Sequence, residues 1–311
     1  MGSIFTLSII QSALELGCIY ALVALALFIS FSILNIADLS TDGCFTLGCS
    51  VCAMITISGH PILALFAAMA AGICSGYITA FLQTKMGIES ILAGIIVNTG
   101  LYTVNIAVMG FASNVNLFKC DTIFSMAKTT IGGNWYKIIV VLLIVALVGL
   151  LLALFLNTRL GLSIRATGDN ADMVRASSIN PAFTITVGLC LANSLTALSG
   201  GILAQYQKSC DINLGTGMVT IALASLIIGE SIIGKGSILR RVVGVVLGSC
   251  LYRFTVAVAL RLNVPAECLK LVSALIVAIA IAFPYLKKKA SFTKQKRIAV
   301  KAFHNGGNKT C

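Results

Sequence analysis

The chain has 311 residues, of which 58% are hydrophobic and only 10% are charged, and its mean hydropathy is +1.01. Soluble globular domains carry about 25% charged residues, so this composition excludes a soluble enzyme and indicates an integral membrane protein. The net charge is +12, and eight of the 22 Lys and Arg residues lie in the tail between 287 and 309.

Apolar runs follow one another along nearly the whole chain. The run 138–156 holds nineteen residues without a charge, which as a helix matches the ~30 Å hydrocarbon core of a bilayer. Two runs, 43–58 and 216–233, are short and rich in Gly, Ser or Thr, so they predict half-helices or re-entrant segments. The others are 4–34, 61–83, 88–111, 182–206, 241–261 and 268–286. These runs predict an all-α integral membrane protein, a polytopic helical bundle of about 8–10 segments with short broken or re-entrant helices.

The charge distribution predicts the orientation of the chain. The basic tail 287–311 follows the last apolar run, and positively charged flanks of membrane helices lie on the cytoplasmic side. Alternation of the preceding segments then places the loops 158–181 and 234–240 on that side too. The basic residues of these two loops are Arg159, Arg165, Arg175, Lys235 and Arg240. Nucleic-acid binding is an alternative interpretation of the tail, but an anchor on anionic membrane lipid is favoured, so no nucleic-acid partner is predicted.

The polar segment 161–180 interrupts the apolar chain near its midpoint. Gly168 permits a turn, and Asp169 is predicted to cap a short helix of about two turns. Asn180 is predicted to cap the next helix, whose first residue is Pro181. A connecting loop without function is the alternative. A structured insertion of this length between neighbouring spans favours a functional role.

Polar side chains in or beside the apolar runs form two groups. Such residues are costly in a membrane, so each is a candidate for the substrate pathway. Carboxylates of the first group offer acceptors to an ammonium group, and the second group falls on one helix face. Helix capping and hydrogen bonding between spans are equally good alternatives. The first group is Asn35, Asp38, Ser40, Thr41 and Asp42, and the second is Asn98, Tyr102 and Asn105.

The run from Gly229 to Gly236, GESIIGKG, is close to a phosphate-binding P-loop. The hydroxyl residue that should follow Lys235 is missing, and the run joins two apolar segments instead of a strand and a helix. The sequence also shows no catalytic Ser/His/Asp or Cys/His set, and its two histidines are His60 and His304. The sequence therefore predicts a subunit that is not an enzyme and has no cofactor of its own.

The segment RLGLSIRATGDNADMVRASSIN (159–180) resembles the cytoplasmic coupling segment of ABC-importer permeases of the branched-chain amino acid and ribose permease superfamily. Further matching stretches are YALVALALFISFSILNIADLSTDGCFTLG, SGGILAQYQ, LASLIIGESIIGKGS and LNVPAECLKLVSALIVAIAIAFP. Residues 35–43, NIADLSTDG, differ from the Asn-Phe-Ala-His-Gly of branched-chain amino acid permeases. They are more similar to a branch associated with tryptophan or tyrosine uptake, and Ser178 replaces the usual Gly of a Gly-Ile pair.

The resemblance implies a transmembrane permease domain at 1–286, with a cytoplasmic coupling segment at 158–181 that docks on a separate ATPase. ATP and Mg would bind that ATPase. An extracellular substrate-binding protein and a second permease copy are the other implied partners, and the implied location is a bacterial plasma membrane with the C-terminus in the cytoplasm. The implied coupling residues are Arg165, Gly168, Asp169, Asn170, Met173, Val174 and Arg175. Ile179 is a further apolar contact candidate.

Two other function classes remain open at this stage. A stand-alone secondary transporter or channel would be driven by an ion gradient, and a membrane-embedded interaction scaffold would transport nothing. The coupling segment discriminates between these classes, because neither alternative requires an ATPase-docking helix. The sequence therefore favours an importer subunit for a small polar solute, an aromatic amino acid more than a branched-chain one.

Overall fold

The computed structural model describes residues 7–261 except 134 and 235, and beyond 261 only positions 271, 274, 275, 278 and 282. Its helices are α1 (Leu7–Leu27), α2 (Thr41–Ile57), α3 (Pro61–Thr84), α4 (Ser90–Val108), α5 (Ile123–Ile131), α6 (Tyr136–Leu156), α7 (Arg159–Asp169), α8 (Ala171–Ala176), α9 (Pro181–Gln207), α10 (Met218–Ile233) and α11 (Ile238–Arg261). The predicted span 268–286, the tail 287–311 and the matching stretch at 262–284 lie outside the continuously described residues.

The all-α membrane fold predicted from the sequence is confirmed. Within the described residues, six helices are long and apolar enough to cross a membrane. They correspond to α1 with its extension, α3, α4, α6, α9 and α11. The two runs predicted as half-helices form the shorter helices α2 and α10, of 17 and 16 residues.

Helices α1 and α9 form the centre of the bundle. In each, 83% of the most apolar window is buried, against 28% in α4 and α6. Small residues let the neighbours of α9 approach closely, as is common between membrane helices. At Gly200, for example, a Cβ would overlap the Phe45 carbonyl oxygen of α2. The peripheral helices present their exposed apolar side chains outward, as expected for contact with lipid.

The architecture contains an inverted repeat. A long buried helix, α1 or α9, is followed by an irregular segment and then by the shorter helix α2 or α10. The long helices are antiparallel, since Ser199 of α9 bonds the Ile19 carbonyl while Gly188 lies against Leu34. In the same way α1 packs on α11, and α9 packs on α3. Inverted repeats with discontinuous helices are typical of membrane transporters.

Three elements were not foreseen from the sequence. The last part of α1 widens into a π-helix, Phe28–Ile33, in which the Leu34 N–H bonds the Ile29 carbonyl at 2.9 Å. A short antiparallel pair joins β1 (Asn114–Asn116) to β2 (Ser209–Asp211). Helix α5 is short and begins with a capping box at Thr122. All three are too short to give a clear hydrophobic period.

Candidate functional site

The loop between α1 and α2 turns at Asn35, which has a left-handed backbone (φ 57°) and an exposed side chain. Asp38 follows and is only 3% exposed. Its Oδ1 accepts from the Ser40 N–H at 2.8 Å, and its Oδ2 accepts from Asn193 Nδ2 of α9 at 2.9 Å. Both carboxylate oxygens of Asp38 therefore bond within the protein.

Asn193 fixes the depth of this loop in the bundle. It lies twelve residues into α9, about 18 Å along the helix axis, and close to the middle of a helix of 27 residues. Asp38 is held at the same level by its hydrogen bond to Asn193. The break between α1 and α2 thus reaches the interior of the membrane region, as the interpretation of a broken helix requires.

Ser40 and Thr41 are also buried in this loop. Thr41 Oγ1 donates to the Asp38 carbonyl at 3.1 Å, and Thr79 Oγ1 of α3 donates to Ser40 Oγ at 3.3 Å. These hydroxyls fold the loop and join it to α3. Neither hydroxyl caps α2, since its N-cap residue Ser40 makes no side-chain bond to the N–H groups of the first turn.

Asp42 joins the first turns of two helices. It lies in the first turn of α2, and its carboxylate accepts from the N–H groups of Gly217 and Val219 at the start of α10, each at 2.9 Å. The positive ends of both helix dipoles therefore converge on one carboxylate. Asp42 links the two halves of the inverted repeat.

A cavity of about 180 Å³ opens beside Asp42. It brings Asp42 together with the whole second polar group, whereas Asn35, Asp38, Ser40 and Thr41 do not line it. The polar lining is Asp42, Thr46, Asn98, Thr99, Tyr102, Asn105, Asn213 and Thr216. Asn105 is buried and donates to the Gly43 carbonyl at 3.1 Å, while its Oδ1 has no protein partner. This oxygen is a buried acceptor without a protein partner, in a residue that lines the cavity.

Sequence reasoning missed the contribution of the loop before α10. Asn213 and Thr216 lie in a tight turn in which the Thr216 N–H bonds the Asn213 carbonyl at 3.0 Å. The stretch DINLGTG (211–217) is rich in residues that favour turns. That signal indicated a turn, but only the fold places it opposite α4.

The coupling segment differs in detail from its prediction. Gly168 lies inside α7 instead of in a turn, and Asp169 is the last residue of that helix. The cap of α8 is Asn170, whose Oδ1 accepts from the N–H groups of Asp172 and Met173, each at 3.1 Å. The predictions for Gly168 and Asp169 were wrong because α7 continues through Gly168 to Asp169, and the cap of the next helix is one residue later, at Asn170.

Gly168 instead provides a close contact with the end of α1. A Cβ at this position would overlap the Ile33 carbonyl oxygen. Nearby, Thr167 and Thr184 of α9 share a hydrogen bond of 2.8 Å. The predicted cap at Asn180 is confirmed, since its side chain accepts from the Ala182 N–H at 3.0 Å. The coupling segment is thus firmly seated on α1 and α9.

The outer face of the segment carries Arg165, Arg175 and Met173, all exposed, with Met173 at 70%. Val174, a coupling residue implied by the resemblance, is 4% exposed and packs inward instead of facing a partner. Ile179 is half-buried. Leu162 is a second exposed apolar side chain of the segment, at 51%, and Asp169 and Asp172 are exposed beside the two arginines.

The glycine-rich run at 229–236 connects two apolar helices, as predicted. Helix α10 ends at Ile233, Gly234 takes a positive φ of 75°, and α11 begins at Ile238. The strand that precedes a P-loop is not part of this connection. Its geometry agrees with a turn instead of a nucleotide site.

A bundle of apolar helices in which two half-helices meet at a polar cavity defines a membrane transport permease. The chain belongs to the family described as branched-chain amino acid transport system / permease component, whose model matches residues 9–282. It is a multi-pass membrane subunit of the ABC-transporter permease class and not an enzyme. The superfamily inferred from the sequence motifs is confirmed.

Three relatives illustrate the range of this similarity. The chain is 32% identical to a tyrosine transport system permease protein of Clostridioides difficile (strain R20291), over 93% of this chain and 96% of that protein. It is 29% identical to an uncharacterised protein of Rickettsia prowazekii (strain Madrid E), over 88% and 97%. Identity to the ribose import permease protein of Escherichia coli (strain K12) is 25%, over 89% and 85%. No solved structure matches the chain.

Proposed function

We propose that this chain is the membrane subunit of an ATP-driven amino acid importer, with aromatic amino acids favoured over branched-chain ones. A separate ATPase docks on residues 161–180, and two copies of the chain form the pathway together with an external substrate-binding protein. The observation that carries the proposal is the close packing of Gly168 against the Ile33 carbonyl oxygen. It joins the exposed coupling segment to the helix that leads into the site.

The cavity beside Asp42 supports an amino acid as the solute. The side chains of Asn98, Tyr102 and Asn213 line the cavity and offer donors and acceptors to a zwitterion. The carboxylate of Asp42 already accepts one N–H bond from α10 on each oxygen, which weakens an ion pair with an ammonium group. We infer a weak transit site, with most of the selectivity in the external binding protein. The tyrosine permease of C. difficile supports the aromatic class.

An ion-driven transporter is the second candidate, and the observation that favours it is the buried carboxylate of Asp38. Intramembrane acids are common in ion-coupled carriers. Its hydrogen bonds to the Ser40 N–H and Asn193 Nδ2 favour a structural role instead. The two candidates make opposite predictions for the energy source.

The test is purification of the native protein in mild detergent, followed by uptake of L-tyrosine into proteoliposomes. We expect an ATPase subunit to copurify, and uptake to require ATP and the binding protein. A non-hydrolysable ATP analogue is the control. If no ATPase copurifies and uptake ignores ATP but stops when ion gradients are dissipated, the importer proposal is wrong.

A further inference from the structure

Ser32, Glu230 and Arg241 form a compact cluster at the end of the bundle that holds the coupling segment. Arg241 Nη2 lies 2.6 Å from Glu230 Oε1 and 2.6 Å from Ser32 Oγ. Ser32 Oγ in turn donates to Glu230 Oε1 at 2.8 Å. The guanidinium of Arg241 also stacks over the Phe28 ring, at 4.7 Å from its centre. We call these three residues the ion-pair cluster.

The cluster joins three helices, and Ser32 lies about 200 residues before Glu230 and Arg241 in the sequence. Ser32 belongs to the π-helical end of α1, Glu230 to the last turn of α10, and Arg241 to the first turn of α11. The side chains of both charged partners are about one-fifth exposed. Partial burial reduces screening by solvent, so loss of one partner leaves the other charge poorly compensated.

The contact between the coupling segment and the end of α1 lies one residue from this cluster. Ser32 is followed by Ile33, whose carbonyl oxygen is the atom against which Gly168 packs. A rigid contact of this kind transmits displacement, because neither backbone has room to yield. Movement of α7 is therefore expected to shift the end of α1 and with it Ser32. π-helical turns, as at this end of α1, are frequent at functional sites.

Helix α10 connects the cluster to the cavity. Glu230 lies near the C-terminal end of α10. At the N-terminal end of the same helix, backbone N–H groups donate to the Asp42 carboxylate at the cavity wall. The twelve residues between Met218 and Glu230 span about 18 Å. An α-helix of this length behaves as a stiff rod, so a shift of its cytoplasmic end also moves the end that Asp42 holds.

We propose that Ser32, Glu230 and Arg241 are positioning residues that transmit movement of the coupling segment through α10 to the cavity. This inference rests on the proposed function, because it requires an ATPase that moves residues 161–180. The cluster keeps α1, α10 and α11 in register while the half-helix is displaced. Without the ion-pair cluster, the ATPase still docks and hydrolyses ATP, but movement of the coupling segment no longer changes the cavity.

The experiment compares Glu230→Gln and Arg241→Gln with the wild type in proteoliposomes that contain the copurified ATPase and the binding protein. The measured quantity is the number of ATP molecules hydrolysed per L-tyrosine taken up. We expect this ratio to rise about tenfold in both variants, in the usual range for coupling between sites, while ATPase copurification is unchanged. The exchange variant with Glu230→Arg and Arg241→Glu should recover part of the loss.

Arg240→Gln is the matched control, because Arg240 is the exposed neighbour of Arg241 and carries the same charge. Its ratio should equal that of the wild type. If either single variant fails to accumulate, Ser32→Ala removes one hydrogen-bond partner and takes its place. An unchanged ratio in the cluster variants, with ATP-dependent uptake in the wild type, would refute the transmission role alone. Absence of ATP-dependent uptake in the wild type would instead refute the proposed function.

Discussion

Asp38 and Asp42 show how this chain keeps carboxylates inside a membrane bundle. A buried ionised group is very costly unless hydrogen bonds compensate it. Asp38 obtains them from Ser40 and Asn193, and Asp42 from the first N–H groups of α10. Both acids therefore act first as scaffold residues, and the chemistry available to a solute comes from amide and hydroxyl groups nearby.

Asp42→Asn should lower both stability and transport. The variant keeps one acceptor oxygen but loses the negative charge that faces two helix dipoles, at a cost of about 1–3 kcal/mol in the free energy of unfolding. Thermal unfolding in detergent measures this loss. Tyr102→Phe is the contrast, since Tyr102 lines the same cavity and is about half exposed. It should lower the maximal rate of uptake without changing the unfolding temperature. Equal stability of Asp42→Asn and wild type would contradict the scaffold role.

At the scale of the elements, Gly168 shows what a sequence pattern can and cannot predict. Apolar runs fixed the existence of the long helices, and their Gly, Ser and Thr content correctly indicated the half-helices α2 and α10. The glycine itself suggested a turn, because the residue that requires its small size, Ile33, lies 135 residues earlier in the chain. Long-range contacts of this kind leave no local signal.

Only the part of the candidate site that depends on local spacing could be predicted from the sequence. The helical spacing of Asn98, Tyr102 and Asn105 placed them on one face, and the cavity contains all three. Asp42 was identified as a polar intramembrane residue, but its partner helix was not. The choice between a ligand role and a capping role depends on where α10 begins, and only the tertiary fold determines that position.

Gly168→Ala tests the seat of the coupling segment. The added Cβ would overlap the Ile33 carbonyl, so α7 must move away from α1, at a cost of about 1–3 kcal/mol. We expect a lower unfolding temperature in detergent and weaker ATP-dependent uptake. Gly100→Ala is the control, because a Cβ there meets nothing within 4 Å in α4. If Gly168→Ala unfolds at the wild-type temperature and transports normally, the contact with Ile33 does not hold the coupling segment on α1.

At the scale of the whole molecule, the inverted repeat explains why the site lies where it does. Helices α2 and α10 begin near the same carboxylate and run in opposite directions, one from each repeat. The N–H groups of Gly217 and Val219 at the start of α10 donate to the Asp42 carboxylate inside the bundle, and the Gly215 N–H before them donates to Thr46 Oγ1 of α2. A cavity at this junction contacts both halves of the protein, so relative movement of the halves changes its shape.

The same arrangement places the β1–β2 pair and the coupling segment at opposite ends of the bundle, because α9 connects one to the other. Single cysteines at Asn114 and Ser177, both exposed, test this sidedness in a background in which all eleven native cysteines are replaced by Ser or Ala. A membrane-impermeant maleimide should label Asn114→Cys in intact cells, whereas Ser177→Cys should react only after the cells are opened. Labelling in opened cells provides the control for reactivity of each site. Labelling of Ser177→Cys in intact cells would place residues 158–181 outside, where an ATPase could not reach them, and would overturn both the orientation and the coupling proposal.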